Sequence, residues 1–194
     1  LYNEPLAFRL SGSLNVDVLW KTMEAIVSRH EALRTTFRMI GEQPMQCIAE
    51  RGTIIPSLTD LTGLPEADRE KEAQRLSGEE FRKPFDLANG PLFRVNLLRL
   101  GEQEHILLMT MHHIITDGWA IGVLLKEITA FYNAFLQGTA PSLPELPVQY
   151  ADFAEWQGEW LQGEILESRM SYWREQLGGT LPILELPADR PRPA

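Results

Sequence analysis

Two adjacent histidines, an acid and a glycine lie within seven residues of this chain, at His112, His113, Asp117 and Gly118. The apolar run before them predicts a strand, and the residues after the acid predict a helix. Because side chains alternate along a strand, two consecutive histidines point to opposite faces of a sheet. One imidazole can then face a crevice while the other is used inside the protein. Histidine has a reference pKa of about 6.5, so a neutral imidazole is available as a base near neutral pH.

Three interpretations of this segment are open. In the first, the histidines are packed polar residues at a strand end and the acid caps a helix. In the second, two imidazoles and a carboxylate bind a metal ion, although adjacent strand histidines diverge and need a distorted backbone to do so. In the third, one imidazole is an acid–base catalyst, a role that typically contributes a factor of about 10² to 10⁴. The sequence has no Gly-x-Ser-x-Gly elbow, phosphate loop or Rossmann glycine pattern. This favours catalysis between two bound substrates without a protein nucleophile.

A second polar segment, Arg-His-Glu-Ala-Leu-Arg-Thr-Thr-Phe, occupies residues 29–37. Arg29 is expected near the carboxyl end of a helix, where a cation complements the helix dipole. Arg34 falls inside a predicted strand over residues 33–40. A buried arginine at that position needs an acidic partner, and Asp117 is the candidate.

Hydrophobic periodicity places these residues on a sheet with helices packed on it, an α+β fold. Strands are predicted at 6–10, 33–40, 43–49, 92–100 and 106–113, and helices after Asn15, at 65–81, after Thr116 and over 148–177. The nearly continuous apolar run at 106–113 is typical of a central strand covered on both faces. Asn15 is expected to cap the first helix, and Thr116 or Asp117 the third. Gly118 and Gly122 leave its first turn open to the close approach of a strand or a ligand.

Composition excludes several classes of function. The 194 residues carry a net charge of −9 without a basic stripe, which argues against nucleic-acid binding. The longest apolar run is too short to cross a bilayer, and the sequence has no secretory leader, so we expect a cytoplasmic protein without membrane contact. A single cysteine, Cys47, excludes an internal disulfide and a cysteine-based zinc site, and we expect it to be inert and buried. Both ends suggest a piece of a longer protein.

Several motifs occur together in one order along the chain. The sequence contains HHxxxDG at 112–118, RHExLRTxF at 29–37, YADFAxWQ at 150–157, PFDL at 84–87, GPLFR at 90–94 and a proline-studded tail at 187–193. This set resembles the condensation domains of non-ribosomal peptide synthetases, within the chloramphenicol acetyltransferase-like superfamily. The resemblance implies a mixed or antiparallel sheet with helices packed on it. Residues 1–180 match the amino-terminal one of the family's two lobes, and residues 181–194 the crossover toward the second lobe.

The resemblance implies peptide-bond formation. The α-amino group of an acceptor aminoacyl thioester attacks the carbonyl of a donor acyl thioester. Both substrates arrive on phosphopantetheine arms of separate carrier-protein domains, so this lobe is expected to bind no cofactor of its own. The implied partners are the two carrier-protein domains, the second lobe and an adjacent adenylation domain. The lobe alone is expected to be inactive, because half of the tunnel wall is contributed by the second lobe.

The resemblance also implies roles for individual residues. His113 matches the family's central histidine. His112 and Asp117 match positions that hold the structure of the site, and the family's acid is usually paired with an arginine that matches Arg34. Gly118 is expected beside the reacting groups, where a side chain would obstruct them.

Other activities share parts of this pattern. An epimerisation domain carries the same motif and inverts a stereocentre. A free-standing acyltransferase that uses coenzyme A belongs to the same superfamily. A non-catalytic domain of the same fold can instead recruit a partner enzyme, but such domains usually have degraded motifs, whereas His113, Asp117 and Gly118 are all present here.

Overall fold

The computed structural model of this protein describes residues 2–52, 54–180 and 187. The chain divides into two compact units, Leu1–Ala151 and Asp152–Ala194. The expected crossover at 181–194 lies outside the described residues except for Pro187.

The first unit is built around a mixed four-stranded sheet. In chain order its elements are β1 (Asn3–Ser11), α1 (Val16–Arg29), a 3-10 turn (Glu31–Arg34), β2 (Thr35–Ile40), β3 (Gln43–Ile48), β4 (Ser57–Asp60), α2 (Glu66–Arg82), β5 (Phe93–Gly101), β6 (Glu104–His112), a second 3-10 turn (His113–Ile115) and α3 (Gly118–Leu136). The strand order is β1-β6-β5-β4. β6 is antiparallel to both β1 and β5, while β4 runs parallel to β5. β2 and β3 form a separate antiparallel hairpin. The predicted α+β fold with a mixed sheet is confirmed.

β6 is the central strand, and the core lies on both of its faces. Leu107, Met109 and Met111 pack in one cluster with buried residues of α1 and α3. Leu108 belongs to a second cluster, which includes Ala73 of α2. Burying a large apolar side chain contributes roughly 1.5–3 kcal/mol, so this two-sided burial fixes β6 firmly. The prediction of a strand covered on both faces is confirmed.

Two helices that flank the sheet begin at the predicted caps. The side chain of Asn15 accepts a hydrogen bond of 3.0 Å from the backbone N–H of Val18, at the start of α1. The carboxylate of Asp117 accepts one of 2.8 Å from the N–H of Ala120, at the start of α3. Of the two candidate caps for α3, the structure therefore selects Asp117. A side-chain oxygen at this position satisfies an amide that the helix itself leaves without a partner.

Two predicted boundaries are wrong. The strand predicted to end at His113 ends at His112, and His113 begins the 3-10 turn that leads to α3. The single helix predicted over 148–177 consists of two helices, α4 (Tyr150–Trp160) and α5 (Gly163–Leu177). Gly163, the first residue of α5, has a φ of +54°, a backbone conformation that glycine adopts without steric cost.

Among the described residues, no helix is both long enough and apolar enough to span a membrane.

Candidate active site

His113 stands at the junction between β6 and α3. Its backbone N–H donates a hydrogen bond of 2.8 Å to the carbonyl oxygen of Tyr2, so the peptide is tied to the residue that precedes β1. Its side chain is 49% exposed, and the ring nitrogen Nδ1 lies 3.4 Å from Oε1 of Glu4. The imidazole is therefore accessible from solvent while its backbone is held by the edge of the sheet.

The imidazole of His113 lines a cavity of about 400 Å³. Residues of the hairpin β2–β3, of the two 3-10 turns and of α3 contribute to its wall: Ala32, Thr35, Phe37, Gln46, Ile115, Asp117 and Ala120. Ligand pockets in proteins have volumes of about 300–1,000 Å³ and are mostly apolar with a few polar groups. This cavity fits that description, and His113 is a titratable group on its wall.

His112 has a different environment from its neighbour. Its Nδ1 accepts a hydrogen bond of 3.1 Å from the backbone N–H of Ile114. Its ring also lies 6.0 Å, centroid to centroid, from the rings of Tyr2 and Phe85. Because Nδ1 accepts a hydrogen bond here, the neutral ring carries its own proton on Nε2. Burial lowers the pKa of His112 below its ordinary value, which favours that neutral form. His112 is thus engaged inside the protein.

Gly118 is the first residue of α3, and it faces open space. A Cβ atom built on Gly118 meets no heavy atom within 4 Å, and the same holds for Gly122 one turn later. Neither glycine is required for packing against a strand, one of the two roles expected for them. The other expected role, space for a ligand at the start of the helix, stays a prediction.

The expected ion pair between Arg34 and Asp117 is wrong for this structure. Arg34 ends a 3-10 turn instead of lying in a strand, and its guanidinium is 3.2 Å from the carboxylate of Glu31, three residues earlier. It also donates to the carbonyl oxygen of Ala49. Glu31 and Ala49 thus pair with the guanidinium of Arg34, while the Asp117 carboxylate accepts a hydrogen bond from the Ala120 N–H. The Nε of Arg34 is buried without a hydrogen-bond partner among the described residues.

A second cavity, of about 320 Å³, lies beside the segment that joins β6 to α3. Its wall shares Ala32, Ile115, Thr116, Asp117 and Ala120 with the segments around the first cavity. It adds His30, Leu33, Met111, Trp119, Val123 and Leu124. Trp119 is 85% exposed, an unusual state for the largest apolar side chain. Residues 115–117 therefore border two spaces.

The sequence of the whole chain is similar to that of a known protein family. Residues 1–194 match the family model of the condensation domain. This chain belongs to the condensation domain family.

Its relatives are very large synthetases. This chain is 42% identical over 194 residues to phosphinothricin tripeptide synthetase PhsC of Streptomyces viridochromogenes. The match covers 100% of this chain and 18% of that protein. It is 42% identical over 193 residues to chondramide synthase cmdD of Chondromyces crocatus, covering 100% of this chain and 5% of that protein. The chain thus spans a small fraction of the curated relatives that it matches.

Solved structures agree with the family and with the fold. The X-domain in its complex with OxyB from teicoplanin biosynthesis superposes with a TM-score of 0.81 at 31% identity, covering 100% of this chain and 42% of that one. A variant of the starter condensation domain of rhizomide synthetase RzmA gives a TM-score of 0.86 at 21% identity, covering 99% of this chain and 43% of that one, which shows the fold alone. The predicted chloramphenicol acetyltransferase-like fold is confirmed.

The condensation domain structure also reveals polar residues that the sequence interpretation missed. Glu127 of α3 is 8% exposed, and its carboxylate lies 3.1 Å from Nε of Arg29 and 2.6 Å from Nε2 of His30. An acid inside the apolar stripe of α3, between Leu124 and Phe131, is the signal that could have identified it. Glu4 has no such signal, because only strand pairing brings it to His113.

The described residues contain no group of three or more histidine, cysteine, aspartate or glutamate side chains placed to hold a metal ion.

Cys47, predicted to be buried, is of intermediate exposure on β3. It lies in register opposite Thr36 on β2. The prediction of burial is therefore wrong, because both strands of this hairpin have a largely exposed surface.

Proposed function

We propose that this condensation domain forms an amide bond between two thioester-bound substrates, with His113 as its catalytic residue. The observation that carries the proposal is the half-exposed imidazole of His113 at the wall of a 400 Å³ cavity. A rigid strand precedes it and a capped helix follows it. In this proposal His112, Asp117 and Gly118 support the site by shaping the junction and leaving space beside it. Arg34, the other supporting residue that the resemblance implies, contacts Glu31 and Ala49 instead.

The reaction transfers an acyl group from sulfur to nitrogen. The acceptor's uncharged α-amino nitrogen attacks the donor carbonyl carbon and forms a zwitterionic tetrahedral species. Loss of a proton from that nitrogen and cleavage of the C–S bond then give the amide and a free thiol. An α-amino group has a pKa of about 7.7–8.0, so a useful share is uncharged at neutral pH. Holding both substrates in line contributes roughly 7–11 kcal/mol. His113 therefore acts as base or proton shuttle, or orients the amine.

The substrates in this proposal are held by other domains. Donor and acceptor are carried on phosphopantetheine arms of carrier-protein domains, next to an adenylation domain in the same cytoplasmic synthetase. The identity to two synthetases, of which the chain covers only 18% and 5%, supports this setting. A second lobe completes the tunnel, in line with the 42% coverage of a solved relative. The 194 residues alone are therefore expected to yield no peptide product.

The test uses the full-length protein that contains this chain, with donor and acceptor carriers loaded separately. We expect the acyl group to move from the donor carrier to the amine of the acceptor, so that intact-protein mass spectrometry detects the dipeptide on the acceptor carrier. His113→Ala should slow product formation in a single turnover. An acceptor that is epimerised without acyl transfer, or acyl transfer from coenzyme A alone, would assign one of the other activities of the superfamily.

A second candidate function is recruitment of a partner enzyme. The 31% identical X-domain was solved in complex with OxyB. Against this candidate, the motif residues are all present: His113 is exposed, Asp117 caps α3 and Gly118 faces open space. Binding of a tailoring enzyme together with absence of any acyl transfer by the loaded full-length protein would favour recruitment.

A further inference from the structure

We propose that Glu4 is a positioning residue that orients the imidazole of His113 through Nδ1. The inference rests on the proposed function of His113 and extends it to a residue outside every motif of the sequence. Oε1 of Glu4 lies 3.4 Å from Nδ1 of His113. The two residues are far apart in the sequence, and the pairing of β1 with β6 brings them together.

The backbone around Glu4 is held on both sides. β1 pairs with β6 along its whole length, with Asn3 opposite His112 and Glu4 opposite Met111. The next pair beyond the strand is closed by the hydrogen bond from the His113 N–H to the Tyr2 carbonyl. The Asn3 side-chain amide donates to the carbonyl oxygens of Phe81 and Lys83, at 2.9 Å each. The Glu4 carboxylate therefore starts from a fixed strand end beside the catalytic turn.

A carboxylate at Nδ1 selects one form of the neutral imidazole. A neutral ring has one N–H donor and one lone pair, and a carboxylate can only accept. Glu4 thus favours the proton on Nδ1, which leaves the lone pair on Nε2 of His113 for the amine. His112 has the opposite tautomer, since its Nδ1 accepts from the Ile114 amide. The two neighbouring imidazoles are therefore set to different forms by different partners.

The motif's own acid is not placed to do this. The Asp117 carboxylate accepts from the Ala120 amide at the start of α3. Within residues 2–52, 54–180 and 187, the carboxylate found in contact with the His113 ring is that of Glu4. The Glu4 side chain is 38% exposed, so small solutes can reach the space that it occupies.

The experiment compares single-turnover rates of the loaded full-length protein at saturating carrier concentrations. Glu4→Ala should slow the reaction about 10- to 100-fold, the range seen when an orienting outer partner of a histidine is lost in metal sites. KM for the carriers should stay unchanged. Glu4→Gln should keep part of the rate, because an amide oxygen, like a carboxylate oxygen, can accept from the Nδ1–H of His113. Added formate should restore rate to Glu4→Ala but not to His113→Ala.

Glu102→Ala is the matched control. Glu102 is an exposed glutamate in the turn between β5 and β6, at the opposite end of β6 from His113. We expect this variant to react at the wild-type rate.

Two results overturn the inference. One is a wild-type rate for Glu4→Ala when His113→Ala is slow, which leaves the proposed function intact. The other is an equal loss of single-turnover rate in Glu4→Ala and Glu4→Gln, with no recovery of the Glu4→Ala rate when formate is added. Wild-type turnover by His113→Ala would instead contradict the proposed function itself. If Glu4→Ala fails to melt cooperatively, the Glu4→Gln rate decides: an unchanged KM with a reduced rate supports the inference, and an unchanged rate overturns it.

Discussion

Two adjacent residues of one type do different work in this protein because their surroundings differ. His112 ends a strand between two aromatic rings and accepts a backbone hydrogen bond, while His113 opens a turn and lines a cavity. Burial lowers the pKa of His112, which favours its uncharged form. The different contacts of the two rings arise at the point where β6 ends and the 3-10 turn begins.

Gly118 offers a test of the space beside the reacting groups. Because a Cβ atom at Gly118 meets no protein atom within 4 Å, Gly118→Ala should fold with a free energy of unfolding within about 0.5 kcal/mol of wild type. Its single-turnover rate should nevertheless fall, since the methyl group enters the space proposed for the substrates. Gly122→Ala, one turn further and equally open, is the control and should react normally. Equal rates for the two variants would refute the proposed role of Gly118.

At the scale of single residues, the sequence predicted the composition of the site better than its contacts. His112, His113, Asp117 and Gly118 are close in sequence, so any fold of the segment keeps them together. The Arg34–Asp117 pair failed because it required knowing which acid lies nearest in space, and Glu31 is three residues away in the same turn. Glu4 could not be found, because strand register alone brings it to His113.

The elements of the first unit position the site by holding a short connection at both ends. β6 is central in the sheet and buried on both faces, and α3 begins at the Asp117 cap. Only residues 113–117 lie between them. A connection this short between two fixed elements leaves little freedom to the imidazole-bearing turn.

Asp117 can be tested as a helix cap separately from its charge. Asparagine is about as good a cap as aspartate, while alanine costs about 0.5–2 kcal/mol. We expect Asp117→Asn to keep the wild-type free energy of unfolding and most of the single-turnover rate. Asp117→Ala should lose stability and rate together. Chemical denaturation and the single-turnover assay measure both quantities, and a rate for Asp117→Asn as low as that of Asp117→Ala would show that the charge is needed.

Glu127 joins α3 to the end of α1. Its buried carboxylate contacts Arg29 and His30, and Arg29 also donates to the carbonyl oxygen of Pro144 at 2.6 Å. Removing one partner of a buried ion pair typically costs about 3–5 kcal/mol, because the remaining charge is left without compensation. Glu127→Ala should lower the free energy of unfolding by this amount. Glu72→Ala, which removes an exposed pair with Arg75 on α2, should change it far less, because solvent screens exposed ion pairs.

An equal effect of these two substitutions in urea denaturation would contradict the structural role of Glu127. Its carboxylate lies on the helix that Asp117 caps, so its loss is expected to loosen the position of that helix against α1 as well.

Elements in which a regular hydrophobic pattern extends over many residues were predicted well. β5, β6 and α1–α3 are long and clearly amphipathic or apolar, and they were recognised within a few residues. β4 was missed because its four residues carry too little periodicity and pair in parallel with β5. The break between α4 and α5 was missed because a positive φ at Gly163 cannot be read from an amphipathic pattern that resumes after it.

At the largest scale, the first unit contains a sheet that packs against helices and presents a polar turn at one end of its central strand. The same sheet buries a histidine at the other end: His105 is 2% exposed, and neither ring nitrogen has a hydrogen-bond partner among the described residues. Burial lowers the pKa of His105 below its ordinary value. The core therefore contains a group that resists protonation.

This burial predicts how stability depends on pH. Because burial lowers the pKa of His105 in the folded chain, the unfolded chain binds more protons than the folded chain as the pH falls below about 6.5. The free energy of unfolding should fall as pH decreases below that value, by up to about 1.4 kcal/mol per pH unit for this group. Urea denaturation from about pH 7.5 to about pH 5.5 measures the slope. His105→Leu should reduce it, and an unchanged slope would contradict the assignment.

In the proposed function, the imidazole of His113 takes part in acyl transfer from an accessible position on a cavity wall. The most direct measurement is the single-turnover rate of His113→Gly in the loaded full-length protein, with and without added imidazole. We expect a loss of about 10² to 10⁴ in rate. Imidazole should restore part of that rate, because the ring is 49% exposed and its removal leaves a reachable space. A wild-type rate for His113→Gly in the absence of imidazole would contradict the account.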